Sequence, residues 1–386
     1  MSNVVIQECQ DYGLDKVMSK INEGVEIIGG WNSFVQPGST VLLKVNLIGP
    51  KPSDSAAVTH CEFVRSMVRI LKQRGCTVWI GDSSGGAIAG IAPTARSFKV
   101  AGYEKIATEE GAIIKNFDCE GVVEVCPQSR CEEKMYLARP IFDADVVINL
   151  PKLKTHSMGI YTGAVKNSFG CIPGLRKAKY HKIAPNAKEF GEIIADINQA
   201  AKFHLHIMDG IISMEGEGPT AGEAYPGGKI LISTDPLALD VVAMKMLGLD
   251  IQDVPILEAA QKRGIGEVDL ENILIDGDYK TIPKLENYKL PKGFRSTKKS
   301  NSQLLSRVID FFQTRPKVNL KKCKNCNICV ESCPVEAINI DSKNIDYQQC
   351  IECLCCHELC IYKAVDLKKE NFLASIVSRI FMGRNQ

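Results

Sequence analysis

Along the first 280 residues, short apolar runs alternate with stretches of helical period. Val4–Gln7 reads as a first strand and Gly13–Ile28 as a helix. Thr40–Asn46 (TVLLKVN) reads as a buried strand, entered by the Pro37-Gly38 turn. From His60 to Arg74, Phe63, Val64, Met67, Val68 and Leu71 recur at the spacing of one helix face, and Gly75 ends that helix. Thr77–Gly81 (TVWIG), Asp145–Leu150 (DVVINL), Leu205–Met208, Ile230–Ser233 and Ile273–Ile275 read as further strands, with helices at Ala187–Ala201 and Ile256–Lys262. Strands that alternate with helices pair in parallel, because each return passes through a crossover. The expected class is therefore α/β, a doubly wound, mostly parallel sheet over residues 1–280.

The pattern then changes. Residues 281–322 carry eleven Lys or Arg against Glu286 and Asp310, and Pro283, Pro291 and Pro316 punctuate them. We read 281–316 as a basic linker, with a short apolar-faced helix around Leu304–Phe312. Only Tyr288 and Phe294 interleave with its bases outside that helix, too few for a stacking platform, so nucleic acid is not the expected partner. Residues 370–386 hold Phe372, Leu373, Ile376, Val377, Ile380 and Phe381 at helical spacing. That amphipathic tail is expected to dock on the protein itself. The chain starts without a basic and apolar leader, and no apolar run is long enough to span a bilayer. A cytoplasmic setting is the expectation.

Sixteen cysteines then decide the chemistry. Cys323, Cys326, Cys329 and Cys333 are followed, 27 positions later, by Cys350, Cys353, Cys356 and Cys360. The flanks repeat as well: Ala337, Ile338 and Ile340 recur as Ala364, Val365 and Leu367. In such a duplicated run three cysteines wrap one face of a cubane, and the fourth ligand serves the other cluster. The expected ligand sets are Cys323, Cys326, Cys329 and Cys360 for one 4Fe-4S cluster, and Cys350, Cys353, Cys356 and Cys333 for a second. Four-thiol zinc sites use separated pairs instead. The segment 317–369 resembles bacterial-type two-cluster ferredoxins, a small α+β domain with a pseudo-two-fold repeat. Ile361 stands where the second run would carry proline, and Cys355 is a ninth cysteine without a cluster role. Oxygen-sensitive clusters point to an anaerobic or low-oxygen habitat.

Polar chemistry in the first domain gathers at strand ends, where open α/β sheets build their sites. Asp82 and Ser83 follow the TVWIG strand. Lys152, Lys154 and His156 follow DVVINL, with Lys166 and Asn167 a few residues on and Arg176, Lys177, Lys179 and His181 beyond. Asp209, Glu215 and Glu217 follow the strand at 205–208. Point charges of lysine beside unpaired backbone N–H groups suit a small anion. Lys154, His156, Lys166 and His181 are the candidate catalytic residues, the histidines as proton donors. Asp82, Ser83, Lys152, Asn167 and Glu215 are the candidate substrate or anion ligands. Asp82, Glu215, Glu217 or Asp240 could place a further metal or a second acid–base group, whereas Asp235 is adequately explained as a helix N-cap.

The motifs LKVN (43–46), GDSSGG (81–86), NLPKLKTH (149–156), TGAVKNSFGCIPG (162–174), DGIISMEGEGP (209–219) and STDPLALD (233–240) resemble, in order, domain-of-unknown-function family 362. The resemblance implies a redox-active iron–sulfur protein, and members of that family often carry a ferredoxin domain. It names no substrate. A looser similarity to the nickel-pincer lactate racemases hints that small anionic acids fit. The expected function is a ferredoxin-linked oxidoreductase that reduces a small anionic substrate and takes electrons from a redox partner protein. The alternative is a non-enzymatic ferredoxin-type carrier whose large domain only docks partners.

Overall fold

A computed structural model of the chain describes residues 1–86, 92–127, 134–174, 176–184, 186–291, 294, 314–351 and 353–369. The expected helices at 304–312 and 371–382 lie outside the described residues.

The strands, in chain order, are β1 (Ser2–Glu8), β2 (Thr40–Lys44), β3 (Thr77–Asp82), β4 (Ile113–Asn116), β5 (Val122–Val125), β6 (Met135–Ala138), β7 (Val146–Asn149), β8 (Lys152–His156), β9 (Ile160–Thr162), β10 (Leu205–Glu215), β11 (Glu223–Ser233), β12 (Ile273–Gly277), β13 (Thr314–Val318) and β14 (Val365–Lys369). The main sheet runs β12-β1-β11-β10-β7-β2-β3-β4, with β8 and β9 continuing from β10. All pairs from β10 through β7, β2 and β3 to β4 are parallel, and β11 runs against both of its neighbours.

Alternation along the strands separates two cores. Leu42, Val147, Met208 and Leu231 face one, under the helices Ala187–Ala201, Pro236–Met246 and Pro255–Lys262. Val41, Leu43, Ile148, Ile207 and Ile232 face the other, under the helices Leu14–Ile27 and Cys61–Gln73. Side chains in a strand point to opposite faces in turn, so each strand serves both layers, and the doubly wound class holds.

Three segments differ from the sequence reading. PKLKTH is largely a strand, β8, and not a loop. Its lysines are tolerated in the sheet because each finds a buried partner. The strand at 205 runs on through Asp209 to Glu215 and pairs with β11 in a long antiparallel hairpin, so Asp209 and Gly210 are strand residues. The first part of the basic stretch is also no free linker. Leu285 is buried, Tyr288 donates from its hydroxyl to Met214 O at 2.5 Å, and the Leu285 amide donates to Met246 O at 2.8 Å.

In the C-terminal part, β13 and β14 pair antiparallel and close a small unit of two short helices, Ile328–Glu331 and Cys355–Leu359. Its backbone repeats at the spacing of the cysteines. Asn327 and Leu354, then Glu336 and Lys363, are matched residues in the left-handed region. The Ala337 and Ala364 amides donate to Cys333 Sγ and Cys360 Sγ at 3.2 and 3.1 Å.

An interdomain cavity at the sheet's carboxyl edge

The carboxyl ends of β2, β3 and β7 lie side by side. At this edge Lys44 and Asp82 form a buried ion pair of 2.9 Å. Asp82 also accepts from the Leu47 and Ser83 amides at 2.9 and 2.7 Å. Burial pushes the Asp82 carboxyl up, and Lys44 pulls it down. Gly170 closes over the pair: a methyl there would collide with the Asp82 carboxylate and the Lys44 ammonium. An amide ladder extends from this point. Asn167 donates to Asn149 at 2.7 Å, Asn46 donates to Asn167 at 2.9 Å, and Lys154 donates to Asn46 Oδ1 and Ala57 O at 2.6 Å each.

Above this edge lies a cavity of about 270 Å³. Asn46, Asp82, Ser83, Lys154, Lys166, Asn167, Lys177 and His181 line it from the sheet domain. Glu331, Ser332, Cys355, Glu358 and Leu359 line it from the C-terminal unit. The two units are held together there. Thr220 donates to Glu358 O, and Lys363 donates to Ala221 O and Gly222 O at 3.4 and 3.3 Å. Gly86, at φ 87°, lets Leu359 approach: a methyl on it would stand 3.1 Å from Leu359 Cδ2. The SSGG turn after β3 thus serves interdomain packing as well as the cavity wall.

Seven of the nine expected site residues come together here. Six line the cavity, and His156 reaches it through Glu358, with Nε2 at 3.4 Å from Glu358 Oε1. His156 Nδ1 accepts from the Met158 and Gly159 amides, so the ring proton sits on Nε2 and faces that carboxyl. Two expected residues stand apart. Lys152 is paired with Asp209 at 2.7 Å beside Tyr12, and none of these three lines the cavity. Glu215 pins the 281–291 segment, accepting from the Lys289 amide at 2.8 Å. Asp240 also has other work. Its oxygens accept from Tyr161 and from the Ala164 and Val165 amides, and it does not line the cavity.

The expected proton chemistry of the histidines needs correcting. Burial, with Lys166 beside it, pushes His181 down to about 3. Burial first, then Lys166 and Lys154, hold His156 well below the usual range. Both are neutral at pH 7, so neither enters as an imidazolium acid. The cavity's cations are lysines. Burial lowers Lys166 and Lys154, each opposed by the charge of Glu358. Burial lowers Lys177 to about 8 against the raising pull of Asp118 and Asp82.

Lys177 was legible only as one member of a basic cluster. Its Nζ donates to Ser83 Oγ at 2.6 Å, while Ser83 donates to Asp118 at 2.5 Å. A pH dependence follows. Lys177 is charged below about pH 8 and neutral above it. Anion affinity, measured with a small carboxylate by calorimetry, should fall as pH rises through 8, and Lys177→Met should flatten that profile. For stability the sign is opposite. Between pH 8 and the ordinary lysine range only the unfolded chain holds this proton, so Lys177 makes the fold gain stability as pH rises there.

Glu358 could not have been selected from sequence, and Cys355 only as a thiol outside the register of the repeat, since nothing there shows which face of the C-terminal unit meets the sheet domain. Burial raises Glu358 to about 7, against Lys166 and Lys154.

The cysteines ring two further cavities. Cys323, Cys326, Cys329 and Cys360 line one, and Cys333, Cys350, Cys353 and Cys356 line the other. These are the two crossed sets expected from the spacing. Among the described residues no three His, Cys, Asp or Glu side chains gather to hold a single ion. Thiols set around a hollow, with backbone amides aimed at Cys333 and Cys360 sulfur, fit a cubane. Cys355 lines both the second thiol cavity and the interdomain cavity.

A doubly wound α/β domain joined to a 4Fe-4S ferredoxin domain defines an iron–sulfur protein. The chain belongs to the family described as domain of unknown function (DUF362), whose model matches residues 41–245, and the 4Fe-4S binding domain model matches residues 316–339. It is 31% identical over 294 residues to the thylakoid-associated protein sll1697 of Synechocystis sp., covering 76% of this chain and 88% of that one. Among solved structures it is similar to the lactate racemase apoprotein of Thermoanaerobacterium thermosaccharolyticum. That match has a TM-score of 0.40 at 10% identity, covering 62% of this chain and 56% of that one. Among the described residues no helix is long and apolar enough to cross a membrane.

Proposed function

We propose that this protein is a ferredoxin-linked oxidoreductase holding two 4Fe-4S clusters, and that it reduces a small anionic substrate in the interdomain cavity. The observation that carries the reading is the shared wall. One cavity is lined by the sheet's strand-end residues and by Cys355, which also lines the nearer thiol cavity. The clusters, bound by the two crossed cysteine sets, supply low-potential electrons one at a time.

The chain's own residues do the rest. Lys166 and Lys177 attract and orient the anion. Lys154, whose amine is held by Asn46 and Ala57, is a fixed part of the wall and does not move. Leu47, Ile48, Phe169 and Leu359 give the cavity apolar walls that exclude water and strengthen each charge inside. His156 Nε2 lies 3.4 Å from Glu358 Oε1, next to the carboxyl that lines the cavity. A module that only docked partners would need no lysine-lined cavity between its halves.

The test uses anaerobically reconstituted protein reduced by dithionite and mixed with a series of small carboxylic and oxo acids. At least one acid should speed reoxidation, and Lys166→Met should slow that step by at least about a hundredfold, the scale of losing one preorganised charge. If no acid accelerates reoxidation, or if Lys166→Met matches the parent, the reading fails.

A further inference from the structure

The two thiol cavities face different surroundings. The one lined by Cys333, Cys350, Cys353 and Cys356 abuts the interdomain cavity through Cys355, and Cys353, Cys355 and Cys356 are buried. The other shares no lining residue with the interdomain cavity. Its Cys326 is exposed, and Lys324 and Tyr362 form part of its wall.

Charge divides in the same way. From Thr314 to Val330 the chain carries Arg315, Lys317, Lys321, Lys322 and Lys324 and no acid. Lys317, Lys321, Lys322 and Lys324 are exposed, and of these Lys322 is offset by Asp366 at 2.9 Å. Two large apolar side chains accompany them, Leu320 at 65% exposure and Tyr362 at 44%. Exposed acids follow in the chain, Glu331 and then Glu336, Asp341 and Asp346, while Lys343 is buried in the wall of the Cys326 cavity with its Nζ donating to Ile340 O.

We infer that the basic face around Cys326 is the docking surface for an acidic one-electron carrier protein. This rests on the redox reading above and adds a point of entry to it. Four thiolates outweigh the iron charge of a cubane, so a bare cluster repels an acidic carrier. Lys321 and Lys324 reverse that sign at the one exposed ligand. Leu320 and Tyr362 supply the apolar centre that a brief contact needs, and the lysines supply its charged rim and steering field. The reduced carrier gives up one electron and the docked domain gains one, with no bond made or broken.

The test uses the reconstituted full chain and an acidic bacterial-type ferredoxin as probe. Binding of the oxidised probe is measured by calorimetry at low and high salt. Reduction by the reduced probe is followed beside reduction by photogenerated deazaflavin radical, a small reductant with no docking face. Lys321→Glu/Lys324→Glu should weaken ferredoxin binding and slow its reduction step at least about tenfold at low salt, and should remove the salt dependence. Iron content and the deazaflavin rate should stay as in the parent. Unchanged ferredoxin binding overturns the inference, as does an equal loss with deazaflavin or tighter binding of the ferredoxin to the variant. Docking that holds while no acid reoxidises the protein would defeat the proposed reaction and leave this surface standing.

Discussion

Lys44→Met is expected to destabilise the sheet domain by about 3 kcal/mol or more, the cost of leaving one member of a buried ion pair without its partner. Lys44 and Asp82 are both buried and 2.9 Å apart. Methionine keeps most of the lysine stem, so little cavity is made, and the loss is that of the ion pair and of the bonds to Val45 O and Asn167 O. Asp82 would keep the Leu47 and Ser83 amides but lose its nearest cation. Lys177 is the remaining cation that pulls on it, which places the effect at the lower end of the range for such pairs. Urea unfolding followed by fluorescence of Trp79, on β3 beside the site, reads this directly. Replacing both partners, Lys44→Met with Asp82→Leu, should recover only part of the loss, because the unpaired carboxylate is gone but the Leu47 and Ser83 amides lose their acceptor. A midpoint equal to that of the parent in the single variant would show that Asp82 is held by its amides alone. The variant should also disorder the Gly170 turn that closes over the pair, and with it one wall of the cavity.

How much of this could be read from the chain depends on what each residue answers to. The strands Thr40–Lys44, Thr77–Asp82 and Val146–Asn149 are legible because they are buried on both faces and so almost wholly apolar. Lys152–His156 is equally buried, yet it reads as a loop. Its lysines are tolerated in a sheet only because Asp209, Asn46 and Ala57 O meet them from more than fifty residues away in the chain. Local pattern carries no trace of such partners. Asp82 and Ser83 were legible through the rule that sites sit at strand ends. Lys152 and Glu215 obeyed the same rule and were misplaced by it, since position at an edge does not tell which way a side chain turns. Cys355 was legible as a thiol outside the register of the repeat. That it joins two cavities is a property of docking between units, and docking has no local signal.

The same crossing of halves sets the largest effect expected of a single substitution. Cys360 follows the second cysteine run, yet it lines the cavity of the first, with Cys323, Cys326 and Cys329. Cys333 follows the first run and lines the cavity of the second. Cys360→Ser should therefore empty the cavity of Cys323, and Cys333→Ser that of Cys350. On the two-cluster reading proposed above, each should cost roughly half of the iron and sulfide, and each should turn a spectrum of two interacting cubanes into that of one. Iron analysis alone would not separate them, but function should. Cys333→Ser removes the cluster set beside Cys355 and should abolish reoxidation by any acid. Cys360→Ser leaves that cluster in place, so deazaflavin-driven turnover should persist, while reduction through an acidic ferredoxin is lost. If Cys360→Ser abolishes the deazaflavin-driven reaction and Cys333→Ser spares it, electrons reach the cavity from the other side, and the roles of the two thiol cavities must be exchanged. Should Cys360→Ser lose all iron, Cys326→Ser stands in for it, since it lines the same cavity, its side chain is exposed and its loss disturbs the small core least.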